Sequence, residues 1–442
     1  MKRFEDCGVC VPELLLPAQK KLSSWSVIAC DQYTQDSEYW NKVADCVADR
    51  PSTLNLILPE LYLQSPDCEE RIQKIRSTMN QYLSDGTFDS PAEECMYIER
   101  TTGYGRTRKG LVCAIDLDSY EWKSGNKALI RASEATIVER IPPRKKIRDG
   151  APLESPHIML LVNDPNRLLV EACGKRAKKS KPVYDDDLML SSGHITGWAV
   201  KNQSDVDALH DSLCALKKQN VQGDGSVFLF AVGDGNHSLA TAKAVWDEYK
   251  TKKLAQGATE ASLAECPVRY ALVEIVNIYD EGLTFEPIHR VLFDASADAL
   301  VSFFNRELNA SASTLNSEKE LENAVKKSSS DFGIVYTENS SSKYVLLKTD
   351  VRELLVSRMQ PLLDSFIKES GASIDYIHGS DEVFRLGKKE NALSILLPPV
   401  DKASFFTTIA KSGSLPRKSF SMGEASEKRF YLECRKLFAG EN

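Results

Sequence analysis

The stretch Ser226–Lys250, SVFLFAVGDGNHSLATAKAVWDEYK, limits the fold more than any other part of the chain. An apolar run ends at Val232, a Gly-Asp-Gly turn follows at Gly233–Gly235, and Asn236, His237 and Ser238 lead into a helical pattern with Leu239, Ala242, Trp246 and Tyr249 on one side. A strand that stops at glycines and turns directly into a helix belongs to α/β or α+β architecture. Such a junction gathers unpaired backbone N–H groups and the positive end of the helix macrodipole at one point, which is the geometry that holds a phosphate or carboxylate. The glycines permit positive φ and let a ligand approach the backbone closely. Asp234, Asn236 and His237 stand there with no packing reason. The same residues would also suit an ordinary β–α turn in which Asp or Asn caps the helix. The pattern is neither a Walker P-loop nor a dinucleotide GxGxxG.

The rest of the chain narrows the class. In 442 residues, 42% are apolar and 27% charged, with 56 Lys and Arg against 63 Asp and Glu, for a net charge of −7. An acidic balance argues against nucleic-acid binding, which needs a basic face. The absence of a convincing helix-turn-helix argues against DNA clamping. No apolar run approaches the roughly 18 residues of a membrane helix. The start, MKRFEDCGVC, lacks an apolar signal core. Eleven scattered cysteines read as reduced thiols of a cytoplasmic protein rather than a disulfide framework. Cys7 and Cys10 form a CxxC, but a zinc site would want a second Cys pair or a His pair at short spacing, and none follows.

Helix and strand signals alternate. Helical stripes cover Ser37–Val47, behind a cap at Asp36 or Ser37, and Ile72–Leu83. Strand-like runs cover Leu111–Leu117, Ile158–Val162, Val227–Val232 and Tyr270–Ile278. The expected fold is mixed α/β (α+β). A composition shift near Asp294 suggests a main α/β domain over 1–293, a small α/β insert over 294–373, and a segment of strands and turns, 374–442, returning to the main domain. Within the insert, helices are expected at Ala297–Leu308, Glu318–Lys327 and Val351–Ser370, and strands at Phe332–Tyr336 and Tyr344–Leu347.

Other residues could carry chemistry. In Leu129–Arg148, alternation sets Arg131 and Ser133 on one strand face and Glu134 on the other. Arg140, Arg144, Lys145, Lys146 and Arg148 then form the one dense basic run, which can hold an anionic ligand, although Lys145 and Lys146 read rather as part of a solvated loop after Pro142–Pro143. Arginine suits bidentate contact with phosphate or carboxylate, which singles out Arg131 and Arg144. Asp31 follows the run Trp25–Cys30, at a strand end where α/β sites lie. His194, His289 and Arg290 are further candidates on the substrate side. No HExxH or His-x-His pair points to a metal site built of histidines, and no GxSxG points to a serine hydrolase.

Taken in order, seven segments resemble one family: Ala29–Tyr33 (ACDQY), Ile130–Thr136 (IRASEAT) with Pro142-Pro143-Arg144 downstream, Ser155–Leu161 (SPHIMLL), Gly193–Trp198 (GHITGW), Gly233–Ala242 (GDGNHSLATA), Pro287–Leu292 (PIHRVL) and Leu415–Phe420 (LPRKSF). The series is similar to domain-of-unknown-function family 1015 and spans nearly the whole chain. Many members carry Asp-Gly-His-His-Arg at the glycine turn. Here Asp234-Gly235-Asn236-His237-Ser238 stands instead, so any phosphate contact of that arginine must come from elsewhere. The turn itself resembles that of the ParB and sulfiredoxin superfamily, which binds nucleotide phosphates at this helix start and includes nucleotide-dependent free-serine kinases.

That resemblance implies a ParB/sulfiredoxin-like core elaborated with extra strands and helices, and a nucleotide (ATP or ADP) held with Mg²⁺. On those terms Asp234, Gly235, Asn236, His237 and Ser238 cradle phosphates, with His237 as a donor. Asp31 and Asp234 are candidate Mg²⁺ ligands. Asp31 or Glu134 accepts a substrate proton, and Arg131, Arg144 or Arg290 holds an anionic group of the acceptor. The implied activity is a small-molecule phosphotransferase, with a hydrolase of a phosphorylated metabolite or a non-catalytic sensor as alternatives. The implied partner is a small anionic molecule, with neither nucleic acid nor membrane, and the sequence leaves room for a homodimer.

Overall fold

The computed structural model describes residues 1–155 and 157–438; Pro156, within the segment Ser155–Leu161, and Ala439–Asn442 lie outside the described residues. By contacts the chain divides into two compact units, Met1–Leu283 with Glu424–Asn442, and Thr284–Gly423.

In the first unit an eleven-stranded mixed sheet carries, in chain order, β1 (Cys95–Thr102), β2 (Thr107–Asp116), β3 (Tyr120–Glu121), β4 (Ile130–Arg131), β5 (Met159–Val162), β6 (Tyr184–Asp187), β7 (Gly193–Val200), β8 (Phe230–Asp234) and β9 (Tyr270–Asn277). Across the sheet the order is β6-β7-β1-β2-β9-β5-β8-β4-β3, and an N-terminal hairpin, Arg3–Phe4 with Val9–Cys10, pairs onto β2. Period-two alternation divides the side chains between two cores: Leu111, Cys113 and Ile115 of β2 face one, and Val112 of β2 with Leu272 of β9 the other. Every residue of β9 is buried. A strand covered on both faces reads as a near-continuous apolar run, which is why this one is legible in the sequence.

Three helices matter most for the site and its surroundings: α1 (Ile141–Arg148), α2 (Gln203–Gln219) and α3 (Asn236–Ala255). The apolar stripe of α3 behaves as its spacing predicts, with Leu239, Ala242 and Trp246 in the core and Tyr249 packed against it. The basic run is a helix, α1, not a solvated loop. Pro142 and Pro143 occupy its first turn, where their fixed φ suits the helix and no N–H is missed. The stretch before it forms a strand only at Ile130–Arg131, because beyond Arg131 the backbone leaves the sheet to meet the start of α3. No helix among the described residues is long and apolar enough to cross a membrane.

The second unit is built on a six-stranded sheet of β10 (His289–Phe293), β11 (Ser311–Leu315), β12 (Phe332–Glu338), β13 (Ser341–Lys348), β14 (Ser373–Ile377) and β15 (Ala392–Leu396), in the order β11-β13-β12-β15-β10-β14. Its helices include Ala297–Glu307, Glu318–Lys326 and Leu355–Ser370. The boundaries expected at 293/294 and 373/374 fall inside this sheet, since β10 pairs with both β14 and β15.

The C-terminal strap, residues 424–438, returns to the first unit. Phe430 and Tyr431 pair with Ile28 and Val27, and Arg435 and Lys436 pair with Glu154 and Leu153. The strap is anchored by buried charge. Arg429 bonds Glu274 of β9 at 2.7 Å and Glu433 at 2.6 Å, Arg108 lies 3.3 Å from Glu274, and the Tyr184 hydroxyl donates to Glu433 at 2.6 Å. Arg435 meets Glu154 at 2.5 Å. Room for Glu274 depends on Gly110 opposite, where an added Cβ would fall 2.4 Å from Glu274 Oε1.

Removing Glu274 leaves Arg108 and Arg429 buried without their shared carboxylate. Glu274→Ala is expected to destabilise the first unit by about 3–5 kcal/mol, the range for breaking a buried ion pair from one side. Chemical denaturation of the full chain checks this, and a loss under about 1 kcal/mol, the surface-pair range, would contradict it.

Candidate functional site

The junction of β8 and α3 forms as a turn that only glycine tolerates comfortably. Gly235 has φ +82, and a Cβ there would sit 3.1 Å from both Cα and Cγ1 of Ile158. Just before it, the β5–β8 register shifts between Met159 and Leu160, so Met159 faces Asp234 while Leu160 faces Val232. An irregularity of this kind re-aims side chains at a strand end. Asp234 thereby meets Lys428 Nζ of the strap at 3.4 Å, and its Oδ1 accepts the Gly235 N–H at 3.1 Å.

Asn236 and His237 grip the segment that follows β4. Asn236 Oδ1 accepts the Ser133 N–H at 3.2 Å and its amide donates to Ser133 Oγ at 3.3 Å; His237 Nε2 accepts the Ile137 N–H at 3.2 Å. The His237 Nε2 is thereby taken up as an acceptor in this arrangement. Glu134 is half-buried within the gripped segment.

Beside this turn lies a pair that the sequence does not single out. His157 stands just before β5 with its side chain 4% exposed, and its Nε2 lies 3.6 Å from Asp31 Oδ2 and 3.5 Å from Ser238 Oγ. On its other side, His157 Nδ1 lies 2.6 Å from the Tyr431 hydroxyl, which also accepts the Cys30 N–H at 3.3 Å. The separation from Asp31 is that of an ion pair rather than a hydrogen bond. Gln32 donates to the other Asp31 oxygen at 3.0 Å.

Burial opposes charge on both groups, yet each supports charge on the other. Against that burial, His157, then Gln32 and Lys428, hold the Asp31 carboxyl well below the usual carboxylate range. Asp31, then Asp234 and Glu60, hold His157 above its ordinary value. The proton of the pair therefore belongs to His157. Burial also pushes the Tyr431 phenol well above its ordinary value, so it stays protonated.

His157, Ser238 and Tyr431 open onto a cavity of about 140 Å³, lined also by Cys30, Glu60 and Arg144. Such a volume accommodates several waters or a small polar group. Arg144 of α1 reaches it, paired with Glu60 and donating to the Arg140 carbonyl at 2.8 Å. Among the described residues, the group of three or more His, Cys, Asp or Glu donors within 4.8 Å of one another is elsewhere, at Asp6, Cys7, His210 and Cys214, so Asp31 and Asp234 form no ready-made cation cage.

The expected residues thus divide. Asp31, Asp234, Gly235, Asn236, His237, Ser238 and Arg144 gather around the start of α3, and Glu134 lies in the segment clamped to it. Arg131 does not join them. Its guanidinium stacks 4.5 Å over Phe228 and bonds the Ala128 carbonyl and Ser226 Oγ, near the opposite end of β8 from Gly235. His194 lies on β7, five strands from β8 and therefore about 24 Å away at the usual strand spacing, exposed between Asp185 at 2.8 Å and Asp187 at 2.7 Å. His289 and Arg290 belong to the second unit, both buried. His289 Nδ1 accepts the Leu397 N–H and is pushed down to about 4 by burial, and Arg290 donates to Gln360 at 2.8 Å. His157, Tyr431, Lys428 and Glu60 are the residues that sequence reasoning misses. A His set directly before the apolar run Ile158–Val162 is the one available signal.

No curated protein matches the sequence. Among solved structures, a mutant free serine kinase in complex with AMP matches with TM-score 0.39 and 10% identity, covering 75% of this chain and 92% of that one. A conserved hypothetical protein from Pyrococcus furiosus matches with TM-score 0.36 and 10% identity, covering 75% and 96%. SbnI with C-terminal truncation from Staphylococcus aureus matches with TM-score 0.37 and 8% identity, covering 74% and 88%. The family described as Protein of unknown function (DUF1015) matches residues 12–366, and the chain belongs to that family.

Proposed function

We propose that the chain is a nucleotide-dependent phosphotransferase acting on a small hydroxylated metabolite, an amino acid or similar. The observation that carries this reading is that Ser238 and Thr241 of α3, the buried His157 that pairs with Asp31, and Arg144 line one cavity. Phosphoryl transfer asks a protein mainly for positioning and charge neutralisation. The backbone N–H groups of Asn236–Ser238 would hold nucleotide phosphates, the role that a ParB/sulfiredoxin-type turn implies. Lys428 and Arg144 supply positive charge from two sides. A substrate hydroxyl placed beside Asp31 would be oriented by donating its hydrogen bond to that carboxylate, which His157 keeps ionised. Glu134 is a candidate base, and Arg144 would hold an anionic group of the acceptor.

Mg²⁺ fits these residues in one respect: Asp234 Oδ2 is buried without a hydrogen bond, its neighbour being the Lys428 ammonium at 3.4 Å, and Asp31 is 28% exposed, so an ion there would take the place of Lys428. One carboxylate oxygen from each is typical of what protein gives to Mg²⁺ that also binds phosphates. Bound there, the ion would neutralise phosphate charge.

A second reading, a sensor without turnover, is favoured by the engagement of Asn236 and His237 in structural contacts and by serine at 238. Calorimetric titration with ATP, ADP and AMP in the presence of Mg²⁺, with turnover measured on hydroxylated amino acids, tests both. The proposal expects nucleotide binding in the wild type, and in Asp31→Asn a turnover lower by about 10²–10⁴-fold with binding retained. No binding of any nucleotide contradicts the phosphotransferase and leaves only a sensor of another metabolite, and binding with no turnover on any acceptor supports a nucleotide sensor.

The ion pair also sets a pH dependence. Because His157 is raised in the folded chain, the stability it contributes is fully present below its ordinary value of about 6.5 and is lost as pH rises through the higher folded value. A proton NMR titration should place His157 above 6.5 in the wild type and below it in Asp31→Asn, where burial acts with less opposition. An unchanged value in that variant would show that Asp31 does not hold the proton on His157.

A further inference from the structure

The CxxC of the N-terminal hairpin has no zinc partners nearby in sequence, but the fold supplies them from far away. Cys7 closes a tight turn, Glu5–Cys7, that lies against α2. On α2, His210 and Cys214 are four residues apart and so share a face. One donor atom each from Asp6, Cys7, His210 and Cys214 lie within 4.8 Å of one another. Individually, Asp6 Oδ2 is 3.4 Å from Cys7 Sγ and 3.6 Å from Cys214 Sγ, and Asp6 Oδ1 is 3.2 Å from His210 Nε2. Tetrahedral zinc with bonds of about 2.0–2.3 Å to oxygen, nitrogen and sulfur has ligand–ligand edges of roughly 3.3–3.8 Å. The three separations from the Asp6 carboxylate, taken through its two oxygens, fall close to those edges, and the four donors lie within 4.8 Å of one another, so modest side-chain adjustment would close them around an ion.

We propose that Asp6, Cys7, His210 and Cys214 form a structural binding site for a borderline-soft divalent cation, of which Zn²⁺ is the best match. Two thiols, an imidazole and a carboxylate are the donor set that separates zinc from magnesium or calcium, which take oxygen ligands. Binding releases two thiol protons and leaves two thiolates, a neutral imidazole and a carboxylate around the ion, for a local charge of about −1. Lys217 offsets it, with Nζ 3.8 Å from Asp6 Oδ2 and a bond to the Asp6 carbonyl at 2.5 Å. His210 is oriented in advance by stacking on Phe4, with ring centroids 4.6 Å apart and planes 7° apart. Cys7 is fully buried, whereas the side chains of Asp6 and His210 are 48% and 39% exposed, so an ion has a way in from solvent. Cys10 takes no part: its sulfur contacts Met1 at 3.6 Å.

Four protein ligands leave no open position, which makes the site structural rather than catalytic. It would pin the N-terminal hairpin to α2. Cys7 and the buried face of α2 belong to the core on one side of the main sheet, and the Asp31–His157 cavity borders the core on the other. The metal site is thus separate from the proposed phosphotransfer chemistry, and either can fail alone.

The test uses the full chain, reduced and stripped of metal, then loaded with Zn²⁺ or with Co²⁺ as a spectroscopic stand-in. The expected result is about one Zn²⁺ retained per chain after gel filtration, and for Co²⁺ the visible bands of a tetrahedral site together with a thiolate charge-transfer band. His210→Ala and Cys214→Ser alter half-exposed positions and should keep the fold by circular dichroism while losing the ion; Cys10→Ser should retain it. Absence of the thiolate band in the reduced wild type, equal uptake by His210→Ala and Cys214→Ser, or a thiol count showing a Cys7–Cys214 disulfide in place of metal uptake would overturn the proposal.

Discussion

The rest of the structure depends on a chain of buried ion pairs, Arg108–Glu274–Arg429–Glu433, that ties the C-terminal strap across the central sheet. Buried charges are costly unless paired, so the strap has one low-energy position. Once it is fixed, its backbone pairs on one side with Val27–Ile28 and on the other with Leu153–Glu154. Asp31 lies three residues beyond the first strand and His157 three residues beyond the second. The strap therefore brings together two residues more than a hundred positions apart in sequence, and adds its own Tyr431 and Lys428 on either side of them. The glycine turn supplies the remaining wall. Gly235 allows α3 to begin hard against Ile158, which brings Ser238 to within 3.5 Å of His157.

This division of labour explains the chemistry open to the site. The start of α3 offers amide hydrogens and a positive dipole end, suited to an anion. The Asp31–His157 pair offers a carboxylate that stays ionised and can orient a substrate hydroxyl by accepting its hydrogen bond. Asn236 and His237, the polar residues most conspicuous in the motif, serve the framework instead. They hold Ser133 and Ile137 against the turn and so keep the segment carrying Glu134 in place.

Much of the fold is legible in local pattern. Helix Ser37–Val47 with its Asp36 cap, strand Tyr270–Asn277, the β8–α3 junction and, in the second unit, Ala297–Glu307, Glu318–Lys326 and Phe332–Glu338 follow from periodicity and turn chemistry, because their signals lie within a few residues, whereas helices Ser380–Gly387 and Lys402–Ser412 stand where strands and turns are expected. The mixed α/β class follows from them. The basic run misleads because two adjacent prolines suggest a helix breaker, although they occupy the first turn, where proline is welcome. Arg131 misleads because alternation places a side chain on a face without saying which end of a neighbouring strand it leans toward. The site is half legible. Asp31, the glycine turn and Arg144 can be proposed from their types and positions. His157, Tyr431 and Lys428 cannot be joined to them, because that union is made by ion pairs and strand pairings between distant segments. The same limit hides the Asp6, Cys7, His210 and Cys214 cluster, in which a CxxC draws the eye to Cys10 while the true neighbours of Cys7 lie on α2.

The most direct test of the central claim is a crystal structure of the chain grown with ADP and Mg²⁺. The expected result is a terminal phosphate against the amides of Asn236–Ser238, facing the cavity that His157 and Arg144 line. A nucleotide bound with its phosphates away from that turn, on the solvent face of α1 or elsewhere, would contradict it.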